Sequence, residues 1–184
     1  MKQKIYRFIF FRLMGWKITG AENLSVKKCV MIIVPHTSWH DFYIGVFARG
    51  IINLKMNFVG KKELFIFPFG AYFKWMGGAP LNRSKNENKV DAIAKIFAQQ
   101  DEFRLAIAPE GTRSKVHQWK TGFYYIAKKA HVPIVPIAFD WGKKEVKIHL
   151  PYYATDSIEK DFEYLESIYR GVIGKVIKNS YIPN

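Results

Sequence analysis

The amino-acid sequence predicts a single α/β domain with a mixed, largely central β-sheet flanked by helices. Two observations carry that prediction. Short apolar runs such as Cys29–Val34 are rich in Val and Ile, as buried strands are. Between such runs lie longer segments with apolar residues at three- and four-residue spacing, for example Val90, Ile93 and Phe97, as on the buried face of a helix. At 184 residues the chain is long enough to bury a substantial core, and no linker, repeat or low-complexity stretch divides it.

The elements follow in order. Residues 1–14 predict an amphipathic N-terminal helix: Lys4, Arg7 and Arg12 gather on one side, while Ile5, Phe8, Ile9, Phe11 and Met14 occupy much of the rest. That pattern suits a helix lying in a membrane interface, and the alternative is a terminal helix packed on its own domain. Arg7 and Arg12 interrupt the apolar stretch and no small-residue cleavage site follows, which argues against a signal peptide. Residues 15–184 make up the domain proper. A short strand is expected at Trp16–Gly20, a loop to Val26, and a strand at Cys29–Val34 that delivers His36 to a sheet edge. A helix then runs from near Ser38, capped by Ser38 or Thr37, to about Ala48. Asn57–Gly60 reads as a strand, followed by an aromatic segment from Phe65 to Trp75, and Ala79–Asn82 as an edge strand because Pro80 cannot donate to a ladder. Ser84 and Glu87 form a capping box for a helix to about Gln100. A strand at Phe103–Ala108, a helix at Gly122–Ala130 and strands at Ile134–Phe139 and Val146–His149 follow, with a helical remainder from Asp156 to Lys178.

Composition narrows the function. The chain is 49% hydrophobic and 24% charged, as folded proteins are, but carries a net charge of +14. Such an imbalance points to anionic partners: an acidic membrane surface, phosphorylated substrates, an acidic carrier protein or nucleic acid. Cys29 is the single cysteine, so no intramolecular disulfide can form, and its apolar setting marks it as a small core residue. No apolar run reaches the roughly 18 to 20 residues that cross a bilayer.

The chemistry centres on Pro35-His36-Thr37-Ser38-Trp39-His40-Asp41. Four residues separate His36 from Asp41, so a turn into a helix near Ser38 folds the carboxylate back beneath the imidazole. A carboxylate on one ring nitrogen fixes the tautomer and stabilises the imidazolium, which makes His36 a general base for a hydroxyl. His36 and His40 also stand four apart, but the zinc-protease signature needs Glu where Thr37 stands, so no metal is expected. Ser38 lacks the Gly-x-Ser-x-Gly elbow of a nucleophilic serine. Arg83 and Arg113 are planar forks suited to bidentate phosphate binding.

The His36–Asp41 block is followed by Gly78-Ala79-Pro80-Leu81-Asn82-Arg83-Ser84, by Pro109-Glu110-Gly111-Thr112-Arg113-Ser114 and by Val132-Pro133-Ile134-Val135-Pro136. These four blocks, in this order, resemble the glycerolipid acyltransferase family, whose best-known members are 1-acylglycerol-3-phosphate acyltransferases. The resemblance runs from about Val30 to Phe139. It implies that residues 15–184 are an acyltransferase domain with several strand ends converging on one cleft. It further implies His36 and Asp41 as the catalytic pair, with Lys61, Arg83, Glu110, Gly111, Thr112 and Arg113 binding the acceptor. The fourth block would be structural or line the acyl chain. Pro35, Pro80 and Ala108 depart from the family pattern without removing a chemical group from the mechanism.

The expected activity is O-acyl transfer from an acyl thioester, either acyl-CoA or acyl-carrier protein, to a lysophospholipid hydroxyl. The acceptor of choice is 1-acylglycerol-3-phosphate, giving phosphatidic acid in phospholipid biosynthesis. No cofactor is expected, and no covalent acyl-enzyme is required, because a thioester is already activated. The expected setting is a bacterial enzyme held peripherally on the cytoplasmic face of an anionic membrane. An amino-acid-based lyso-lipid as acceptor is the alternative within the same chemistry. A basic nucleic-acid-binding module is the alternative from another class, and it leaves His36, Asp41 and the Glu110 block without a purpose.

Overall fold

The computed structural model describes residues 2–75, 77–81 and 88–183. An N-terminal helix α1 (Lys2–Arg7) continues as a π-helical stretch (Phe8–Leu13). There follow β1 (Lys17–Thr19), β2 (Lys28–Val34), α2 (His40–Ile51), β3 (Phe58–Lys61), α3 (Gly70–Trp75) and β4 (Gly78–Leu81). The second half holds α4 (Lys89–Gln99), β5 (Phe103–Ile107), α5 (Gly122–Ala130), β6 (Ile134–Asp140), β7 (Glu145–Ile148) and α6 (Ile158–Ser167). The predicted α/β class holds.

A five-stranded sheet in the order β1-β7-β6-β2-β5 forms the centre. All its pairings are parallel except β6 with β7, which run antiparallel. β3 and β4 pair in parallel as a two-stranded sheet that extends the β5 side. Asn57, just ahead of β3, links the two by donating to Arg104 O at 2.7 Å and accepting from Ala106 N at 2.9 Å. Pro80 thus lies in β4, in register with Gly60 of β3.

Alternation along β2 explains why its sequence is apolar from Cys29 to Val34. Val30, Ile32 and Val34 enter a core layer shared with α4, α5 and α6. Cys29 and Met31 enter a second layer shared with α2 and the N-terminal helix. Both faces of a central parallel strand are covered, so no position is free to be polar. Burial of Cys29 pushes its thiol up to about 12, which makes it an inert packing residue.

Three expectations are modified. Ser84 and Glu87 lie outside the described residues, and α4 is capped by Asn88, whose side chain accepts from Val90 N at 3.1 Å. The C-terminal region is α-helical over Ile158–Ser167, with a single 3-10 turn at Ile177–Asn179 further on. Beyond α6 Gly171 takes φ +76 and Gly174 packs where no side chain fits, so the chain leaves the helix and runs as turns toward the sheet. The N-terminal segment packs on its own domain through one side and leaves apolar side chains exposed on another. Phe10 is fully buried beside Trp16 and Phe47, with ring centroids at 5.9 and 6.3 Å. Ile5, Phe8 and Leu13, by contrast, are at least half exposed. Among the described residues no helix is long and apolar enough to cross a membrane.

The burial of Phe10 yields a test. Phe10→Ala should cost about 3 to 5 kcal/mol of stability, the usual toll of emptying a buried Phe site, read as a lowered urea midpoint with an unchanged slope. A change below about 1 kcal/mol would mean that the N-terminal helix is not part of the core.

Candidate active site

β2, β5 and β6 run parallel, so their C-terminal ends open on one edge of the sheet. The chain leaves β2 at Pro35-His36, β5 at Ala108-Pro109-Glu110 and β6 at Trp141. Residues more than 100 apart in sequence meet there.

Asp41 is the hub. Its Oδ2 accepts the backbone N–H groups of Thr37 at 2.9 Å and Ser38 at 2.8 Å. Its Oδ1 accepts the indole N–H of Trp141 at 2.8 Å. His36 Nδ1 lies 3.3 Å from Oδ2. The Asp41 side chain is 1% exposed and that of His36 is 26% exposed, so the ring touches a buried anion on one side and remains accessible to a ligand. Such an anion favours the proton on Nδ1 and leaves Nε2 to accept another. Because Asp41 takes the Thr37 and Ser38 N–H groups, the chain turns tightly before α2. The cap position falls on Trp39, which makes no side-chain capping bond. Neither predicted residue fills that position: Ser38 Oγ accepts from His40 N at 3.3 Å, and Thr37 Oγ1 accepts from Val176 N at 3.1 Å. His40 Nδ1 faces Ser38 Oγ at 3.0 Å.

Glu110 turns inward. It is 2% exposed, and its Oε2 accepts the backbone N–H of His36 at 2.7 Å, so it ties the β5 end to the β2 end rather than presenting a carboxylate to solvent. Burial pushes its carboxyl up to about 7, with Asp41 adding to the rise and the contacts with His36 opposing it. Gly111 adopts φ +65, and a Cβ there would meet Lys120 Nζ at 2.6 Å. The left-handed φ is what favours glycine here, because the Lys120 amine is the end of a flexible side chain that a Cβ would simply push aside. Thr112 and Arg113 are exposed. Thr112 Oγ1 accepts from Ser114 N at 3.3 Å, and Arg113 O accepts from Asn179 Nδ2 at 3.0 Å. Lys61 closes β3 opposite Leu81 of β4. Arg83 lies outside the described residues.

Three contributors escaped the sequence reading. Trp141 carries no motif, and only the pairing of β6 beside β2 brings its N–H to Asp41. Lys120 adds a cation over the Gly111 turn, although nothing in its sequence context marks it. The C-terminal segment underlies the whole site. Ile173 O accepts from Trp141 N at 2.7 Å, and Lys175 Nζ stands 4.5 Å over the Trp141 ring. Gly174 lies against Thr37 and Pro35, where a Cβ would come within 2.6 Å of Thr37.

Parallel strand ends thus bring a histidine–carboxylate pair beside a glycine turn with two exposed cations, Arg113 and Lys120. Residues 15–140 match the family described as Acyltransferase, and the chain belongs to that family. It is 30% identical over 130 residues to the 1-acyl-sn-glycerol-3-phosphate acyltransferase of Saccharomyces cerevisiae, covering 66% of this chain and 41% of that protein. It is 31% identical to the enzymes of the same description from Salmonella typhimurium and Escherichia coli, covering 72% of this chain and 54% of each. The chain thus spans about half the length of the curated relatives it matches. Its fold is similar to the crystal structure of the 1-acyl-sn-glycerophosphate acyltransferase from Thermotoga maritima. The TM-score is 0.64 at 22% identity, over 96% of this chain and 75% of that one.

Two predictions come from this geometry. Trp141→Phe keeps an aromatic ring against Trp16 and Lys175 but strands Asp41 Oδ1. It should cost about 1 to 3 kcal/mol of stability and lower kcat with KM nearly unchanged. A KM effect alone would show that Trp141 serves binding instead. The second concerns pH. Because the Glu110 carboxyl is raised from 4.5 to about 7, the folded state holds a proton that the unfolded state has released. The Glu110 contribution to stability is therefore full below pH 4.5 and lost as pH rises through about 7. Glu110→Gln should flatten that decline in a denaturation series across this window. An identical decline in the variant would assign it to other groups.

Proposed function

We propose that the protein transfers a fatty acyl group from an acyl thioester to the hydroxyl of a lysophospholipid, 1-acylglycerol-3-phosphate, giving phosphatidic acid. The observation that carries the reading is the His36–Asp41 pair at the shared strand edge, in a family whose matched relatives are named for this reaction. In this mechanism His36 Nε2 takes the hydroxyl proton as the oxygen attacks the thioester carbonyl. A C–O bond forms and the C–S bond breaks. The imidazolium, held by Asp41, returns the proton to the departing sulfur. Arg113 and Lys120 beside the Gly111 turn favour an acceptor with a phosphate, and Arg83 joins them in the reading of the second block. The donor is acyl-CoA or acyl-carrier protein, and the enzyme works as a peripheral protein on the cytoplasmic face of an anionic membrane. The net charge of +14 supports that setting.

An acyl-transfer assay with a panel of lyso-lipids and both donors tests the proposal. His36→Ala should lose about a hundredfold to ten-thousandfold in turnover or more, and wild-type rates in that variant would remove the general base. Asp41→Asn should be doubly impaired. It weakens the hold on the imidazolium and also points an amide NH2 at the N–H donors of Trp141 or of Thr37 and Ser38. Arg113→Lys keeps charge but loses the fork, so efficiency with lysophosphatidic acid should fall by about 1.5 to 3 kcal/mol. If Arg113→Lys has equal effects on a carboxylate-bearing amino-acid lyso-lipid, the phosphate assignment fails while the His36 chemistry stands.

A further inference from the structure

Well away from His36, at the far end of α2, the structure holds a groove of about 360 Å³ whose lining includes Arg49, Lys55, Lys74 and Trp75. Among the described residues no acidic side chain lines it. At 1.5 Å per residue, the 12-residue α2 separates this groove from the catalytic turn by roughly 18 Å. It is therefore not the acceptor cleft.

The surface around the groove is unusually apolar for one bathed in water. Trp75 is 74% exposed, and Tyr72, one turn back along α3, is 53% exposed with its ring centroid 6.2 Å from that of Trp75. Just ahead of α3, Ile66, Phe67 and Phe69 are exposed by 64%, 94% and 66%. A phenylalanine exposed to that extent lines no cavity of its own fold. On the other flank α1 crosses the end of α2: Gln3 Nε2 donates to Ile51 O, and the Tyr6 ring lies against Gly50. α1 adds exposed Ile5 and Phe8 among exposed Lys2, Lys4 and Arg7.

The same face continues toward the catalytic end. Seven residues span close to two helical turns, so Phe42 shares a side of α2 with Arg49, and Tyr43 with Gly50. Trp39, Phe42 and Tyr43 are each about half exposed, and Trp39 is within the His36–Asp41 turn. Aromatic side chains interleaved with lysine and arginine, with no acid among the described lining residues, are what the headgroup region of an anionic bilayer accepts. Rings settle at the acyl boundary and cations meet phosphates.

We propose that this face, formed by α3 with residues 66–69, the Arg49–Lys55–Lys74 groove and the exposed side of α2, lies on an anionic phospholipid surface. Lipid headgroup phosphates occupy the groove, and the membrane plane runs along α2 to its catalytic end. The proposal rests on the lipid-acyltransferase reading above and assigns a second membrane contact besides the N-terminal helix. It is the loop tip and groove, rather than residues 1–14 alone, that set the affinity.

Vesicle flotation tests it, using full-length protein with phosphatidylglycerol-containing and with pure phosphatidylcholine vesicles. Wild type should float with the anionic vesicles and dissociate as salt rises. The double variants F67S/F69S and K55E/K74E alter only exposed side chains. Each should weaken that partitioning by about tenfold or more, with thermal melting and turnover of detergent-dispersed lysophosphatidic acid kept at wild-type levels. Equal flotation of wild type and both double variants overturns the proposal. So does loss of binding to an acyl-carrier protein with vesicle binding intact, which would give the surface to an acidic protein. Absence of turnover in detergent by wild type would defeat the activity reading instead, and flotation would still judge the surface.

Discussion

The buried carboxylate of Asp41 is the constraint on which the rest of the site depends. An anion 1% exposed survives only if its oxygens are met by donors, and here three N–H groups and an imidazole meet them. Two of those donors are the backbone of Thr37 and Ser38, so the same interaction that satisfies the charge also bends the chain from β2 into α2. The third comes from Trp141 at the end of β6. Position of the histidine, shape of the turn and docking of a neighbouring strand end are one event. The accessible side of His36 is thereby held over a fixed anion instead of being free to rotate.

Parallel pairing makes this convergence possible. In a sheet where β2, β5 and β6 point the same way, chemistry placed at any strand end arrives on the same edge. Glu110 then ties two of those ends through the His36 N–H, and the turn after it carries Gly111 beneath the Lys120 amine. The site is thus assembled mainly by backbone contacts, with exposed cations at its rim. In the proposed reaction a negatively charged acceptor would meet exposed cations while His36 is held in place by Asp41, and fixing the reacting group in this way is what lowers the entropic cost of reaction.

The underside of the site is built by the stretch after α6. Ile173 holds the Trp141 backbone, Lys175 covers its ring, Val176 donates to Thr37, and Asn179 reaches Arg113 O. Gly174 permits this approach because any side chain there would strike Thr37. Residues that read as a plain C-terminal helix are instead a brace for the His36–Asp41 turn. The N-terminal segment has a similar double character, with Phe10 sunk in the core and Ile5 and Phe8 facing outward.

Local chemistry was legible in the sequence wherever it depended on near neighbours. The apolar run of β2, the helix at Gly122–Ala130 and the four-residue gap between His36 and Asp41 follow from periodicity and spacing, which act within a few residues. Resemblance to a family added the Glu110–Arg113 block, because its residue order is specific. What the sequence could not determine is which distant groups satisfy the buried charges. Trp141 reaches Asp41 across 100 residues, and Glu110 reaches the His36 N–H across 74. Nothing local distinguishes that tryptophan from others in the chain, and the motif around Glu110 does not say which donor its carboxylate meets. The inward turn of Glu110 and the end of α6 at Ser167 likewise depend on contacts made only once strands and turns are packed. Short-range preference wrote the elements, and the requirement that every buried polar group find a partner decided how their ends meet.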